Sequence, residues 1–132
     1  MKFINSRLLV NDFAASLKFW RDVMQLVPKY EDASMGYAYF DTGNGGLEIM
    51  GRADFATFLG QVAPTSTPAS YPAAFVFQVD DVDASYTQLV ERGATSVSGP
   101  LDHQEVGVRS AQVADPDGYV VEVYNALAKP NA

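Results

Sequence analysis

The chain has 132 residues, a single-domain length, with 48% hydrophobic and 19% charged side chains, a globular rather than a disordered balance. It carries no cysteine, which excludes disulfides and thiolate metal sites. A net charge of −7 with only nine lysines and arginines excludes the basic stripes that hold phosphate backbones, so no nucleic-acid partner is expected.

The segment Met1–Arg7 lacks the charge, apolar run and small-residue cleavage site of a secretory signal. No apolar run approaches the ~20 residues of a membrane span. The expectation is a cytoplasmic protein with no membrane partner.

Phe3 to Val10 reads as a strand. Asp12 is placed to cap a helix, and Phe13, Leu17, Trp20 and Met24 follow at helical spacing as its apolar face. Pro28 bars that helix from continuing. Lys29–Asp32 and Tyr37–Asp41 read as strands, the turn residues around Asn44-Gly45 as a hairpin, and Leu47–Met50 as a fourth strand. Residues 52–72 break the pattern and read as a linker, with Phe55, Phe58 and Leu59 suited to one short helical turn that either forms a lid or packs on the sheet. Ala74–Val79 opens a second series. Asp80 or Asp81 caps a helix with Val82, Tyr86, Leu89 and Val90 on its apolar side, and Gly93 stops it. Ser96–Ser98 is a short strand, residues 99–105 a loop, Val106–Val113 an alternating strand, Asp115-Pro116-Asp117-Gly118 a tight turn, and Tyr119–Tyr124 the last strand.

The two series are one pattern repeated. Leu8-Leu9-Val10-Asn11-Asp12-Phe13-Ala14-Ala15-Ser16 returns 69 residues later as Phe77-Gln78-Val79-Asp80-Asp81-Val82-Asp83-Ala84-Ser85. Asp41–Ile49 returns 74 residues later as Asp115–Val123, so Glu48 and Glu122 hold equivalent positions. Each half is β-α-β-β-β. An internal repeat of this kind decides the fold before any single residue does. The expected fold class is α+β: two βαβββ modules, residues 3–51 and 73–125, forming a curved mixed β-sheet cleft with flanking helices.

Paired βαβββ modules, a Val-x-Asp entry to each helix and the run Asp115-Pro116-Asp117-Gly118-Tyr119-Val120-Val121-Glu122 resemble the vicinal oxygen chelate superfamily. That group holds glyoxalase I, extradiol dioxygenases, methylmalonyl-CoA epimerase and the fosfomycin- and bleomycin-resistance proteins. The resemblance covers residues 3–125. It implies an open metal site drawn from the first and fourth strands of each module, with His or Gln on the first strands and glutamates on the fourth. Counting back seven residues from Asp12 and from Asp81 gives Asn5 and Ala74; the fourth-strand positions are Glu48 and Glu122. The glutamates are retained and both histidines are missing. Alanine offers no lone pair, and an asparagine carbonyl is a hard ligand poorly suited to zinc or nickel. No metal and no other cofactor is therefore expected.

The candidate ligand-binding residues are Asn5, Tyr37, Tyr39, Phe40, Glu48, His103, Arg109 and Glu122. Alternation along the third strand points either Tyr37 with Tyr39, or Phe40 alone, at a ligand. Glu48 and Glu122 are open to several roles: ligand contact, solvated edges of a cleft, a cation-binding pair, or a general base. Arg109 is suited to an anionic group or to a salt bridge with Glu48, Glu122 or Glu105. His103, the lone histidine, lies in a predicted loop as a cleft-wall donor or an ordinary loop residue. The functional expectation is a metal-independent protein that binds a small organic molecule, aromatic or cationic, and forms a homodimer. The alternative is a lyase, isomerase or dioxygenase that uses Glu48 and Glu122 with an atypical metal shell.

Overall fold

Both helix entries form as the sequence dictates. In a computed structural model, described over residues 3–58, 72–104 and 106–128, the Asp12 carboxylate accepts from the Ala15 backbone N–H at 3.0 Å and Asp81 accepts from Ala84 at 3.0 Å. Each side chain satisfies one of the orphan amides of a helix's first turn. The chain divides into two compact units, Met1–Thr67 and Pro68–Ala132.

The first unit runs β1 (Asn5–Val10), α1 (Phe13–Lys18), a π-helical stretch (Phe19–Val23), β2 (Pro28–Asp32), β3 (Tyr37–Asp41), β4 (Gly46–Gly51) and α2 (Arg52–Phe58). Its four strands form one mixed sheet in the order β1-β4-β3-β2, with β1 parallel to β4 and the other neighbours antiparallel. The second unit runs β5 (Ala74–Gln78), α3 (Val82–Glu91), β6 (Thr95–His103), β7 (Val108–Ala114) and β8 (Val120–Ala126). Its sheet has the matching order β5-β8-β7-β6, with β5 parallel to β8. The repeat seen in the sequence is thus a repeat of topology, and the eight strands form two four-stranded mixed sheets. Among the described residues no helix is long and apolar enough to cross a membrane.

Strand alternation sorts the first sheet into two faces. Leu8, Val10, Ala38, Phe40, Leu47 and Ile49 are buried on the face that shares its core with Trp20, which is fully enclosed. The helix buries Ser16, Phe19, Trp20 and Val23 rather than the expected row of Phe13, Leu17, Trp20 and Met24. The π-helical stretch is the reason: the Met24 amide reaches back five residues to the Phe19 carbonyl at 3.0 Å, and this wider turn shifts the inward row. Gln25 then ends the helix in the left-handed region at φ 59°.

Three other expectations change. Residues 52–58 form a two-turn helix instead of a linker, while Leu59 and the rest of the expected linker to residue 71 lie outside the described residues. Strand β6 continues from Thr95 through Gly99-Pro100 to His103, where a short strand and a loop were expected. It is an edge strand with register shifts between Ser96 and Leu101, and an edge with bulges tolerates a proline that donates no ladder hydrogen bond. On α3, Val90 is exposed rather than apolar-facing, and Tyr86 spends its hydroxyl on Ser96 at 2.6 Å.

Candidate ligand-binding site

The site of the first module starts from strand register. β1 lies parallel to β4 with Asn5 opposite Gly46, Arg7 opposite Glu48 and Leu9 opposite Met50. β3 lies on the other side of β4 with Tyr39 opposite Glu48 and Tyr37 opposite Met50. Side chains at paired positions share a face. Arg7, Tyr37, Tyr39, Glu48 and Met50 therefore gather on the face that the Trp20 core does not use.

Glu48 is buried, with 7% of its surface exposed. A buried carboxylate needs partners for both oxygens. Arg7 Nε donates to Oε1 at 3.2 Å and Arg7 Nη2 to Oε2 at 3.4 Å, a fork-on-carboxylate arrangement. The Tyr37 hydroxyl donates to Oε2 as well. The guanidinium is flanked by two rings, with Tyr37 at 5.9 Å and Phe55 of α2 at 5.7 Å from its carbon to the centroids. Beside this cluster lies a pocket of ≈ 230 Å³ lined by Arg7, Tyr30, Met35, Tyr37, Met50 and Phe58. An adjoining cavity shares Met35, Met50 and Phe58 and adds Ser34, Asp54 and Thr57.

Desolvation, and then the hydrogen bond to Glu48, push the Tyr37 hydroxyl from its ordinary value of 10 up to about 12. A raised folded-state pKa means that the fold prefers the neutral phenol. The resulting stability is fully present below pH 10 and is lost as pH rises towards about 12. Spectrophotometric titration should show one tyrosine ionising late, at about pH 12, and Tyr37→Phe should remove that step. A native spectrum in which all tyrosines titrate together near 10 would contradict the hydrogen bond.

The second module has an equivalent but different face. Glu122 lies opposite Val76 on β5 and opposite Gln112 on β7. The Gln112 amide donates to Glu122 Oε1 at 2.7 Å and to Ser110 at 3.1 Å. Val76 is 57% exposed and supplies no polar partner.

The structure brings together only some of the residues expected from sequence. Glu48, Tyr37 and Tyr39 share one face. Phe40 is fully buried on the opposite one as a core residue, so alternation leaves the tyrosine pair on the face of Glu48. Asn5 faces Gly46 rather than Glu48: a Cβ at Gly46 would clash with Asn5 Oδ1, so glycine leaves room for that amide. Arg109 is corrected. It sits on the α3 side of its sheet and grips Asp83 through two bonds of 2.8 Å and Asp102 at 2.9 Å, so its salt-bridge partners are these two aspartates and not Glu122. These two carboxylates hold its guanidinium further in the charged form. Glu105, another proposed partner, lies outside the described residues. His103 is the last residue of β6, not a loop residue, and its carbonyl accepts from Gly107 at 2.9 Å.

Sequence reasoning missed Arg7, Tyr30, Met35 and Met50. The signal for Arg7 was present in the alternation of Asn5, Arg7 and Leu9, which puts all three on one face; only the β1–β4 register selects the residue beside Glu48.

The family model of the glyoxalase/bleomycin resistance protein/dioxygenase superfamily matches residues 3–123. The chain belongs to this superfamily. A curated relative, the uncharacterized protein YraH of Bacillus subtilis, is 35% identical over 129 residues, covering 96% of this chain and all of that one. Among solved structures, a glyoxalase/bleomycin resistance protein/dioxygenase from Nocardioides superposes with a TM-score of 0.82 at 20% identity, covering 100% of this chain and 89% of that one. A lactoylglutathione lyase from Agrobacterium tumefaciens gives 0.70 at 20% identity over 93% and 92% of the two chains. At such identities the structural likeness establishes the fold and carries no activity.

Superfamily enzymes hold a divalent metal, and the donors present here can be set against that requirement. A catalytic zinc takes three protein ligands and an open position. In the first module the donors are Glu48, whose two oxygens already receive an arginine and a tyrosine, and one asparagine amide displaced by two positions along the ladder. In the second they are Glu122 beside an alanine and a valine. Among the described residues no cluster of three or more His, Asp or Glu side chains gathers. Neither module's donor set fits such a metal.

Proposed function

We propose that this superfamily member is a metal-independent small-molecule-binding protein whose ligand occupies the pocket of the first module. The observation that carries the reading is the Arg7–Glu48 ion pair. It puts a fixed organic cation on the fourth-strand carboxylate that superfamily enzymes give to a metal. The surrounding wall of Tyr30, Met35, Tyr37, Met50 and Phe58 has the mainly apolar, sparsely polar character of ligand pockets. The lyase, isomerase or dioxygenase alternative needs Glu48 available to a metal or a substrate proton, and both of its oxygens are engaged. In this pocket the charge of Glu48 is compensated by Arg7, which speaks against a cation held there by Glu48.

The test is a thermal-shift screen of planar aromatic compounds in the presence of a chelator. A ligand at one hundred times its Kd adds about 2.7 kcal/mol of stability, a rise of several degrees in Tm. Hits should appear in chelator and should weaken in Tyr37→Ala, since one lost aromatic contact costs about 1 kcal/mol or more. Hits that require an added divalent metal, or that ignore Tyr37→Ala, would overturn the reading.

A further inference from the structure

The pocket of the first module carries an asymmetry of polar groups that bears on ligand class. Arg7 is the charged side chain among its described lining residues, and Glu48 is the carboxylate paired to it. Glu48 has a side chain 9% exposed, and both of its oxygens already accept hydrogen bonds. Arg7 has a side chain 37% exposed, and among the described residues two of the five N–H groups of its guanidinium are used, one on Nε and one on Nη2. The charged function that the site offers to an incomer is therefore a donor edge, not a carboxylate. The guanidinium lies near the Tyr37 and Phe55 rings, and Tyr30, Met35, Met50 and Phe58 extend the wall as apolar surface. A guanidinium pre-oriented by aromatic faces recognises a planar oxyanion in the geometry of its fork, which an ammonium does not reproduce.

We infer that the pocket selects a small planar aromatic or conjugated acid, its carboxylate or equivalent oxyanion on the free edge of Arg7 and its ring system against Tyr30, Tyr37, Met35 and Met50. This inference rests on the ligand-binding reading above. The volume of ≈ 230 Å³ lies below the roughly 300–1,000 Å³ of drug-sized sites, which suits a ligand of about one or two rings. One feature opposes an anion. Asp54, exposed on α2, lines the adjoining cavity, its carboxylate set against the backbone of Gly36 and Gly51. A ligand cation reaching past Met35 and Met50 would meet it, so the charge of the ligand is the variable to test.

Three probes with one ring system separate the cases: naphthoate, naphthylmethanol and naphthylmethylammonium. Calorimetry gives their affinities. Methyl NMR of methionine-labelled full-length protein gives the location, because Met35 and Met50 line the pocket and Met24 does not. We expect naphthoate to shift the Met35 and Met50 signals, to spare Met24, and to bind at least about tenfold more tightly than the alcohol or the amine. That margin corresponds to about 1.4 kcal/mol. Arg7→Lys keeps the charge and loses the fork, and should weaken naphthoate about fivefold or more and the alcohol by less. Should the alcohol or amine shift the same methyls with equal or higher affinity, the acid selectivity is overturned and the pocket reading stands. Should no probe move Met35 or Met50, both are overturned.

Discussion

Replacing Phe40 by alanine is expected to cost about 3–5 kcal/mol of stability, the usual range for removing a buried phenylalanine. Phe40 is 0% exposed, and it lies on the sheet face that holds Leu8, Val10, Ile49 and Trp20. The cost includes a cavity that the surrounding packed core can fill only in part. In a chain of this length the loss should lower Tm by 10 °C or more, on the order of three to four degrees per kcal/mol. Tyr39→Ala, one residue earlier on the opposite face, removes a half-buried ring and should cost about half as much or less. Urea unfolding of the two variants checks the contrast. Equal losses would mean that the faces of β3 are assigned wrongly.

The second large effect concerns Arg7. Arg7→Met keeps the length and apolar stem of the side chain and removes the charge, leaving the Glu48 carboxylate with Tyr37 alone. For a fully buried pair such a loss runs to about 3–5 kcal/mol. Because the Arg7 side chain is 37% exposed, solvent screens part of the effect, and about 2 kcal/mol is the expected value. Glu48→Gln together with Arg7→Met should be less destabilising than the sum of the two single variants by about 1 kcal/mol or more, since the double variant buries no uncompensated charge. Strict additivity would show that the two side chains do not interact in solution.

The sequence carried the architecture well because the architecture is written in local signals. The Asp12 and Asp81 caps, the Asp115 turn and the alternation of Tyr37–Asp41 each depend on a few neighbouring residues. In the turn, Asp115 Oδ1 accepts from Asp117 at 2.9 Å and Tyr119 at 2.8 Å, and Gly118 supplies a φ of 85°. The site was less legible because register is a long-range property. A count from the helix cap reaches Asn5, whereas the ladder between β1 and β4 sets Arg7 beside Glu48, and no spacing within one strand encodes that two-residue difference. The same holds for Arg109. Its alternation with Ala111 and Val113 is visible in the sequence, but only Gln112 facing Glu122 shows that Arg109 must face α3. The π-helical stretch also escaped, since Phe13, Leu17, Trp20 and Met24 satisfy an ordinary helix until the extra residue shifts the inward row.

Elemental analysis of protein purified without chelator tests most directly whether the ion pair has taken the place of a metal. The prediction is far less than one equivalent of zinc, nickel, iron or manganese per chain, unchanged in Glu48→Gln. About one metal per chain, lost when Glu48 is replaced by glutamine, would contradict it.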